Sequence, residues 1–392
     1  MLPTFPPQAP HAVLPAFAAE DNSRQLFARD LRRHVMFDLF GAVKNVHDRE
    51  VKPAFEAQRG RAFRDRAELR DAMWQQGFLR AAWGVQRISQ ELIWASVLPA
   101  VEKQADRINA LVAEHNRSPQ LGSLHLDASL SVPDYLRQVD IHVMPGSYQG
   151  EYGPDDASQG ALFERGAFLY NLGMMGPLND GIGTLHAAYV RRLFPDLEPR
   201  RILDLGCTSG HQTLPFCAAF PDAEVHALDV AAPMLRYGHA RAEALGKAVH
   251  FHQQDATRTN FPDGHFDLVV SNIMLHETCA AAVPAIIAES FRLLAPGGVM
   301  SHLDIPDYNA NPDLLFQMTV DADHFHNNEP FWGALHDLDL VTLAKQAGFG
   351  PDSVGKSVAP MGALAWMLLT GRKAVRAPRP SESDGAPGAG SA

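Results

Sequence analysis

Four short stretches hold the residues whose types and spacing could do chemistry. RILDLGCTSG (201–210) sets Asp204 just ahead of Gly206 and Gly210; ALDV places Asp229 and Val230 at the end of a second apolar run. HQQDA carries Asp255 and Ala256, and FDLVVSNIMLHE carries Asn272, then His276 and Glu277. A carboxylate at the end of an apolar strand can accept hydrogen bonds from ligand hydroxyls or hold a cationic group. A histidine with an ordinary pKa near 6.5 can take a proton at neutral pH, so His276 is the candidate general base, with Glu277 beside it. A further polar group follows: His302, Asp304 and Asp307, then DADHFHNNEPFW with His326, Glu329 and Trp332. His302, Asp304, His326 and Trp332 are read as lining an acceptor pocket. The HxD and HxH spacings suit a metal only if they share a strand face, and no metal is assigned.

The glycine spacing decides which ligand the first loop suits. Pyrophosphate cofactors need GxGxxG, because the backbone must come close to the phosphates. Here the pattern is Gly206-x-x-x-Gly210, with Thr208 in the middle, and no Lys-Ser or Lys-Thr follows. Asp204 would repel a pyrophosphate but suits a ligand carrying positive charge. S-adenosylmethionine has an ammonium, a sulfonium and an adenosine, and no phosphate. A β-branched residue at 208 predicts negative φ there, since only glycine enters the left-handed region without cost.

DLGCTSG, ALDV, QQDA and FDLVVSNIMLHE, in that order, resemble the class I S-adenosylmethionine-dependent methyltransferases over about residues 185–371. The resemblance implies the cofactor and a role for each matched residue. Gly206 and Gly210 shape the loop around the methionine part, and Asp204 helps place its ammonium. Asp229 takes both ribose hydroxyls and Val230 packs on the adenine. Asp255 accepts the adenine amino group, with the Ala256 amide donating to the ring. Asn272 stands where the ammonium meets the end of a strand. Thr208, in place of the family's middle glycine, is the departure.

These motifs need a sheet to position them. Short apolar runs at 201–205, 224–229, 249–255, 266–272 and 299–305 alternate with helical segments, so the fold class expected is α/β: a doubly wound, mostly parallel, seven-stranded Rossmann-like sheet. Two closing strands fall near 353–358 and 363–370. Ahead of it, residues 22–47 read as an amphipathic helix with Phe27, Leu31, Val35, Leu39 and Val43 on its apolar face, and 68–114 as a second helical stretch bent near Pro99. The division expected is a flexible proline-rich start (1–20), a helical N-terminal domain (21–133), a loop-rich connector or lid (134–184), a cofactor-binding methyltransferase domain (185–372) and a disordered tail (373–392).

Composition limits the partners. A net charge of −11 opposes nucleic acid, and SNIM stands where a base-flipping tetrapeptide would be. No apolar run reaches membrane length. Three cysteines without pairing or metal spacing fit a reducing cytoplasm. The expected function is methylation of a small organic molecule, at oxygen ahead of carbon or nitrogen. The alternatives are a non-catalytic methyltransferase-fold binding or regulatory protein, or an RNA or protein methyltransferase. The oligomeric state stays open, a homodimer through the N-terminal helices included.

Overall fold

The structure is a computed structural model that describes residues 7–308, 311–361 and 364–375. Its centre is an eight-stranded sheet: β1 (Ser123–His125), β2 (Arg201–Leu205), β3 (Glu224–Asp229), β4 (His250–Gln253), β5 (Phe266–Asn272), β6 (Leu294–Pro306), β7 (Val354–Met361) and β8 (Leu364–Arg372). Their order is β1-β4-β3-β2-β5-β6-β8-β7. Only β8 runs against the rest, pairing antiparallel with both β6 and β7. The chain winds from β2 outward to β3 and β4, then returns to β5 on the other side of β2. That reversal opens a crevice at the carboxyl ends of β2 and β5, where open α/β sheets take their ligands.

The sheet has one strand more than the seven expected. β1 comes from the end of the stretch expected to form the helical N-terminal domain and pairs parallel with β4 through Ser123–His250 and Leu124–Phe251. Three residues are too few to show an alternating pattern, so only the pairing reveals it. β2, β3 and β5 coincide with the expected runs, because strands buried on both faces are continuously apolar.

The connector expected over 134–184 contains the helix Ser158–Tyr170, in which ten of thirteen residues are buried, and the start of the helix Gly181–Leu193. Its sequence, SQGALFERGAFLY, shows no polar face at helical spacing and carries two glycines, which reads as loop. The glycines serve close packing instead. A Cβ on Gly160 would lie 2.3 Å from Tyr237 Cβ, and one on Gly166 would lie 2.0 Å from Trp94 Cζ3.

The N-terminal helices do not stand apart as a separate body. Ile93, Trp94 and Val97 of the helix Gly77–Glu102 share one buried cluster with Leu162 and Phe168 and with Met234 and Tyr237 of the helix Ala232–Ala244. Pro99 lies inside the helix Gly77–Glu102, near its end. In the helix Ala19–His34 the buried face is Gln25, Ala28 and Arg32, while Phe27 is 67% exposed. The expected apolar stripe is displaced there because this face meets polar groups: Arg165 Nε donates to Gln25 Oε1 at 2.8 Å and Arg32 Nε donates to the Tyr170 carbonyl at 2.9 Å. A wider helical turn at Val35–Leu39 follows, and Met36 and Phe40 reach the central cavity from it.

The start expected to be flexible is docked from residue 9 onward. Ala9 N–H donates to the Pro177 carbonyl, His11 Nε2 pairs with Glu164 at 3.0 Å, and Val13 is fully buried. At the other end Lys373 Nζ donates to the carbonyls of Phe291 and Leu294; the rest of the expected tail, from 376, lies outside the described residues. Among the described residues no helix is long and apolar enough to cross a membrane.

Candidate active site

A cavity of about 520 Å3 opens at the carboxyl ends of β2, β3 and β5. One end is built by the first loop. Gly206 holds φ at +68°, and a Cβ there would lie 2.3 Å from Met274 Cγ, so only glycine fits between the loop and the segment after β5. Thr208 also sits in the left-handed region, at φ +47°, against the negative value expected for a β-branched residue. The turn is imposed by what it delivers: Thr208 N–H donates to Asp229 Oδ2 at 2.9 Å, and Ala231 N–H donates to Oδ1 at 2.9 Å. Asp229 is thus locked at the mouth of the cavity by one hydrogen bond on each oxygen, with lone pairs left over on both.

Asp204 is buried deeper. Thr213 Oγ1 donates to its Oδ2 at 2.6 Å and Asn272 Nδ2 approaches Oδ1 at 3.4 Å. Behind Asn272, its Oδ1 meets His186 Nδ1 at 2.8 Å, and His186 Nε2 meets Ser301 Oγ at 2.7 Å. Burial, with Asp229 adding its charge, pushes the Asp204 carboxyl up to about 7. An arriving ammonium would hold it ionised, and the donor set fits that cationic group. Asp255 uses Oδ1 to accept from Thr257 N–H and Oγ1, leaving Oδ2 for a ligand. Gly206, Asp229, Val230, Asp255, Ala256 and Asn272 all line the cavity. Gly210, at φ +75°, turns the chain behind it against Phe251.

The other end of the cavity is a buried polar cluster. His276 Nδ1 pairs with Asp304 Oδ1 at 2.7 Å, which turns Nε2 toward Glu277 Oε1 at 4.0 Å and Glu329 Oε2 at 3.9 Å. His142 bridges the same two carboxylates, Nε2 to Glu277 at 3.2 Å and Nδ1 to Glu329 at 2.7 Å. Tyr148 OH donates to Glu277 at 2.8 Å, and the Trp332 ring stands edge-on to His276 with centroids 5.1 Å apart. Burial disfavours the charged imidazolium of His276, yet Asp304, with Glu329 and Glu277 behind it, holds its pKa up at about 9. With these partners alone His276 carries a proton at neutral pH, which is not the state a general base requires.

Two further expectations meet a different placement. His302 is buried further back along β6, Nδ1 against Ser271 Oγ at 2.7 Å and Nε2 toward Ser290 Oγ at 3.4 Å, and does not line the cavity. His326 stacks on Trp83 with centroids 5.2 Å apart, outside the cavity. Both lie in segments whose neighbours reach the site, and only packing separates them from it. Asp304 acts behind His276, and Trp332 forms wall.

The matching of the chain to known proteins centres on the same strands. A family model for a methyltransferase domain matches residues 202–298. The demethylmenaquinone methyltransferase of Thermus thermophilus is 40% identical over 173 residues, 44% of this chain and 74% of that protein. The trans-aconitate 2-methyltransferase of Methylobacterium radiotolerans is 37% identical over 139 residues, 36% of this chain and half of that protein. The malonyl-[acyl-carrier protein] O-methyltransferase of Halorhodospira halophila is 34% identical over 126 residues, 31% of this chain and 42% of that protein.

The chain belongs to the class I S-adenosylmethionine-dependent methyltransferases.

The methyltransferase spans half or less of the second and third of these relatives, and their named acceptors differ from one another. The other end of the cavity draws on residues that the sequence did not single out: His142, Tyr148 and Tyr170 from the supposed connector, and Arg32 and Gln86 from the N-terminal helices. His142 lies in VDIHVMPG, where no periodicity marks it. Its backbone, at φ +58° with Val143 at +56°, is held in a conformation that local preference opposes.

Proposed function

We propose that this methyltransferase methylates an oxygen of a small, uncharged, hydroxylated organic molecule. The observation that carries the reading is the charge of the cavity wall. Six carboxylates line it (Asp204, Asp229, Asp255, Glu277, Asp323 and Glu329), outnumbering its cationic groups: Arg32, already seated 3.8 Å over the Tyr170 ring, and the imidazoles of His142 and His276, which neighbouring carboxylates hold protonated. Such a wall attracts a cationic cofactor and repels an anionic acceptor, so polycarboxylates and acyl anions are poor fits. Hydroxyl groups, which donate hydrogen bonds, suit it. Tyr148, Phe163, Trp332 and Trp366 give the chamber flat apolar walls for a ring.

The geometry supports the following cofactor roles. Asp229 holds the ribose diol, Val230 and Ala256 flank the adenine, Asp255 meets its amino group, and Asp204 with Asn272 and Gly206 frames the methionine end. Bound there, S-adenosylmethionine supplies the methyl group, and the acceptor oxygen forms its C–O bond as the C–S electron pair stays on sulfur. The chain's own part is to align the two molecules, keep water out and take the acceptor's proton. Glu277 is placed for the last, since its Oε1 already accepts a hydroxyl hydrogen bond from Tyr148.

A quinone-related ring as acceptor is the second reading, favoured by the 40% identity to the demethylmenaquinone enzyme. Purified protein incubated with S-adenosylmethionine and a panel of phenols, catechols, quinols and aliphatic carboxylic acids tests both. S-adenosylhomocysteine release and a product heavier by one CH2 are expected with the hydroxylated rings. Carbon-13 spectra of the product distinguish a methoxy carbon from a ring methyl. Turnover confined to the carboxylic acids would refute the charge reasoning.

A further inference from the structure

Four side chains capable of binding a metal meet at the acceptor end of the cavity, and they come from three distant stretches of chain. The ligand-capable atoms of His142, Glu277 and Glu329 lie within 4.8 Å of one another. His276 Nε2 faces the same space, 3.9 Å from Glu329 Oε2 and 4.0 Å from Glu277 Oε1. We propose that this cluster is a binding site for one divalent first-row transition cation, held by His142, His276, Glu277 and Glu329.

The carboxylates alone would not make a site. The second observation is Glu329 Oε2: its side chain is 1% exposed, yet that oxygen has no hydrogen-bond partner among the described residues, and it points into the gap shared with His276. A buried carboxylate oxygen without a donor costs free energy unless something positive meets it. The companion oxygen, Oε1, is fully engaged by His142 Nδ1 at 2.7 Å and Asn327 Nδ2 at 3.2 Å, so the carboxylate cannot rotate without losing those contacts.

The supports behind the ligands point the same way. Imidazole ligands of metals commonly hand their other nitrogen to a carboxylate, which fixes the ring. His276 has that arrangement, with Nδ1 on Asp304 Oδ1 at 2.7 Å; Asp304 is fully buried and its Oδ2 accepts from Leu275 N–H at 2.8 Å. Glu277 is steadied by Tyr148 OH. His142 Nε2 and Glu277 Oε1 are 3.2 Å apart, within the roughly 3.0–3.5 Å between neighbouring ligand atoms set by metal bonds of about 2.0–2.2 Å. His276 needs to close by a few tenths of an ångström. Left-handed backbone at His142, at Asn328 beside Glu329 and at Ile273 shows that all three segments are held against local preference where they converge.

Two imidazoles with two carboxylates favour manganese, iron, cobalt or zinc over magnesium, which prefers oxygen donors and its own water. A cation there would lie beside the acceptor and could bind its oxygen. That service rests on the methyl-transfer reading above, whereas the presence of the cation does not.

The test measures metal alone, without acceptor or turnover. The full-length protein, stripped with a chelator and dialysed, is titrated with Co2+ and followed by metal analysis and visible absorption. We expect one equivalent with d–d bands of a nitrogen–oxygen site. E329Q and E277Q should each weaken Co2+ binding at least tenfold, and D304N, which acts only through His276, by about 10–100-fold. All three should bind S-adenosylhomocysteine as the wild type does, which reports that the fold is intact. Surface H34Q should change nothing. Substoichiometric Co2+ in the wild type, or full binding retained in both E329Q and E277Q, would overturn the site even if methyl transfer is demonstrated.

Discussion

Thr208→Gly probes the most strained position of the cofactor loop. Thr208 holds φ at +47°, a region that costs a β-branched residue about 1–3 kcal/mol. The substitution removes that strain. It also removes the hydrogen bond from Thr208 Oγ1 to the Cys207 carbonyl at 2.8 Å, a partly exposed contact contributing about 0.5 kcal/mol. Glycine adds about 0.5–1 kcal/mol of backbone entropy to the unfolded chain. The balance is a gain of about 1 kcal/mol. Spread over 392 residues unfolding as one unit, that shifts the melting temperature by only about 1 °C, so urea denaturation is the better assay. The Thr208 N–H that tethers Asp229 is kept, so affinity for S-adenosylhomocysteine, measured by calorimetric titration, should stay level or tighten. Thr208→Ala is the control: it loses the hydroxyl, keeps the left-handed penalty and should not gain stability. A urea midpoint that falls in Thr208→Gly, or rises equally in Thr208→Ala, would refute the strain account.

Asp229→Ala should weaken cofactor binding by about 1.5–3 kcal/mol and also cost stability, because the Thr208 and Ala231 amides lose their acceptor; unchanged affinity in a folded variant removes Asp229 from the site. Gly166→Ala should destabilise by about 1–3 kcal/mol, since its Cβ would lie 2.0 Å from Trp94, whereas Gly84→Ala, with nothing within 4 Å, should stabilise by about 0.5–1 kcal/mol. Equal urea midpoints for those two would contradict the packing described here. The histidine cluster on β3 and β4 should make the protein acid-labile. Burial, then the neighbouring His250, His265, Arg201 and His125, pushes His226 down to about 3, with Glu224 at 3.2 Å in partial opposition, and His252 is pushed down likewise. The unfolded chain therefore binds more protons below its ordinary pKa near 6.5, so stability is full above that pH and falls as the pH drops toward 3. One proton taken up by the His226–His252 pair amounts to about 3 kcal/mol by pH 4.5; urea curves at pH 7.5 and 4.5 should show it, and His226→Gln should remove at least half.

The candidate cofactor end of the cavity was legible in the sequence because the features that build it are local. Asp204, Gly206, Asp229, Asp255 and Asn272 each sit at the end of a short apolar run, and a strand carries its last residue to the sheet's edge wherever the strand lies. Strand existence, helix alternation and the cationic ligand all follow from patterns within a few residues. The register that brings Asp229 and Asn272 to either side of Asp204 then follows from β2 pairing with both β3 and β5. The acceptor half was not legible. Buried helix Ser158–Tyr170 has no polar face to give it a period, and its glycines are explained only by Tyr237 and Trp94 across the interface. His142, Glu277 and Glu329 are separated by 135 and 52 residues and no spacing links them; nor does spacing tell His276, in the chamber, from His302, two strand positions from Asp304 but turned to Ser271. Thr208 marks the same boundary from the other side. Its residue type argues for negative φ, and the amide bond to Asp229 overrules it. Local preference decides a conformation only while it costs more to satisfy the tertiary contacts than to break the preference, and at the site of chemistry those contacts prevail.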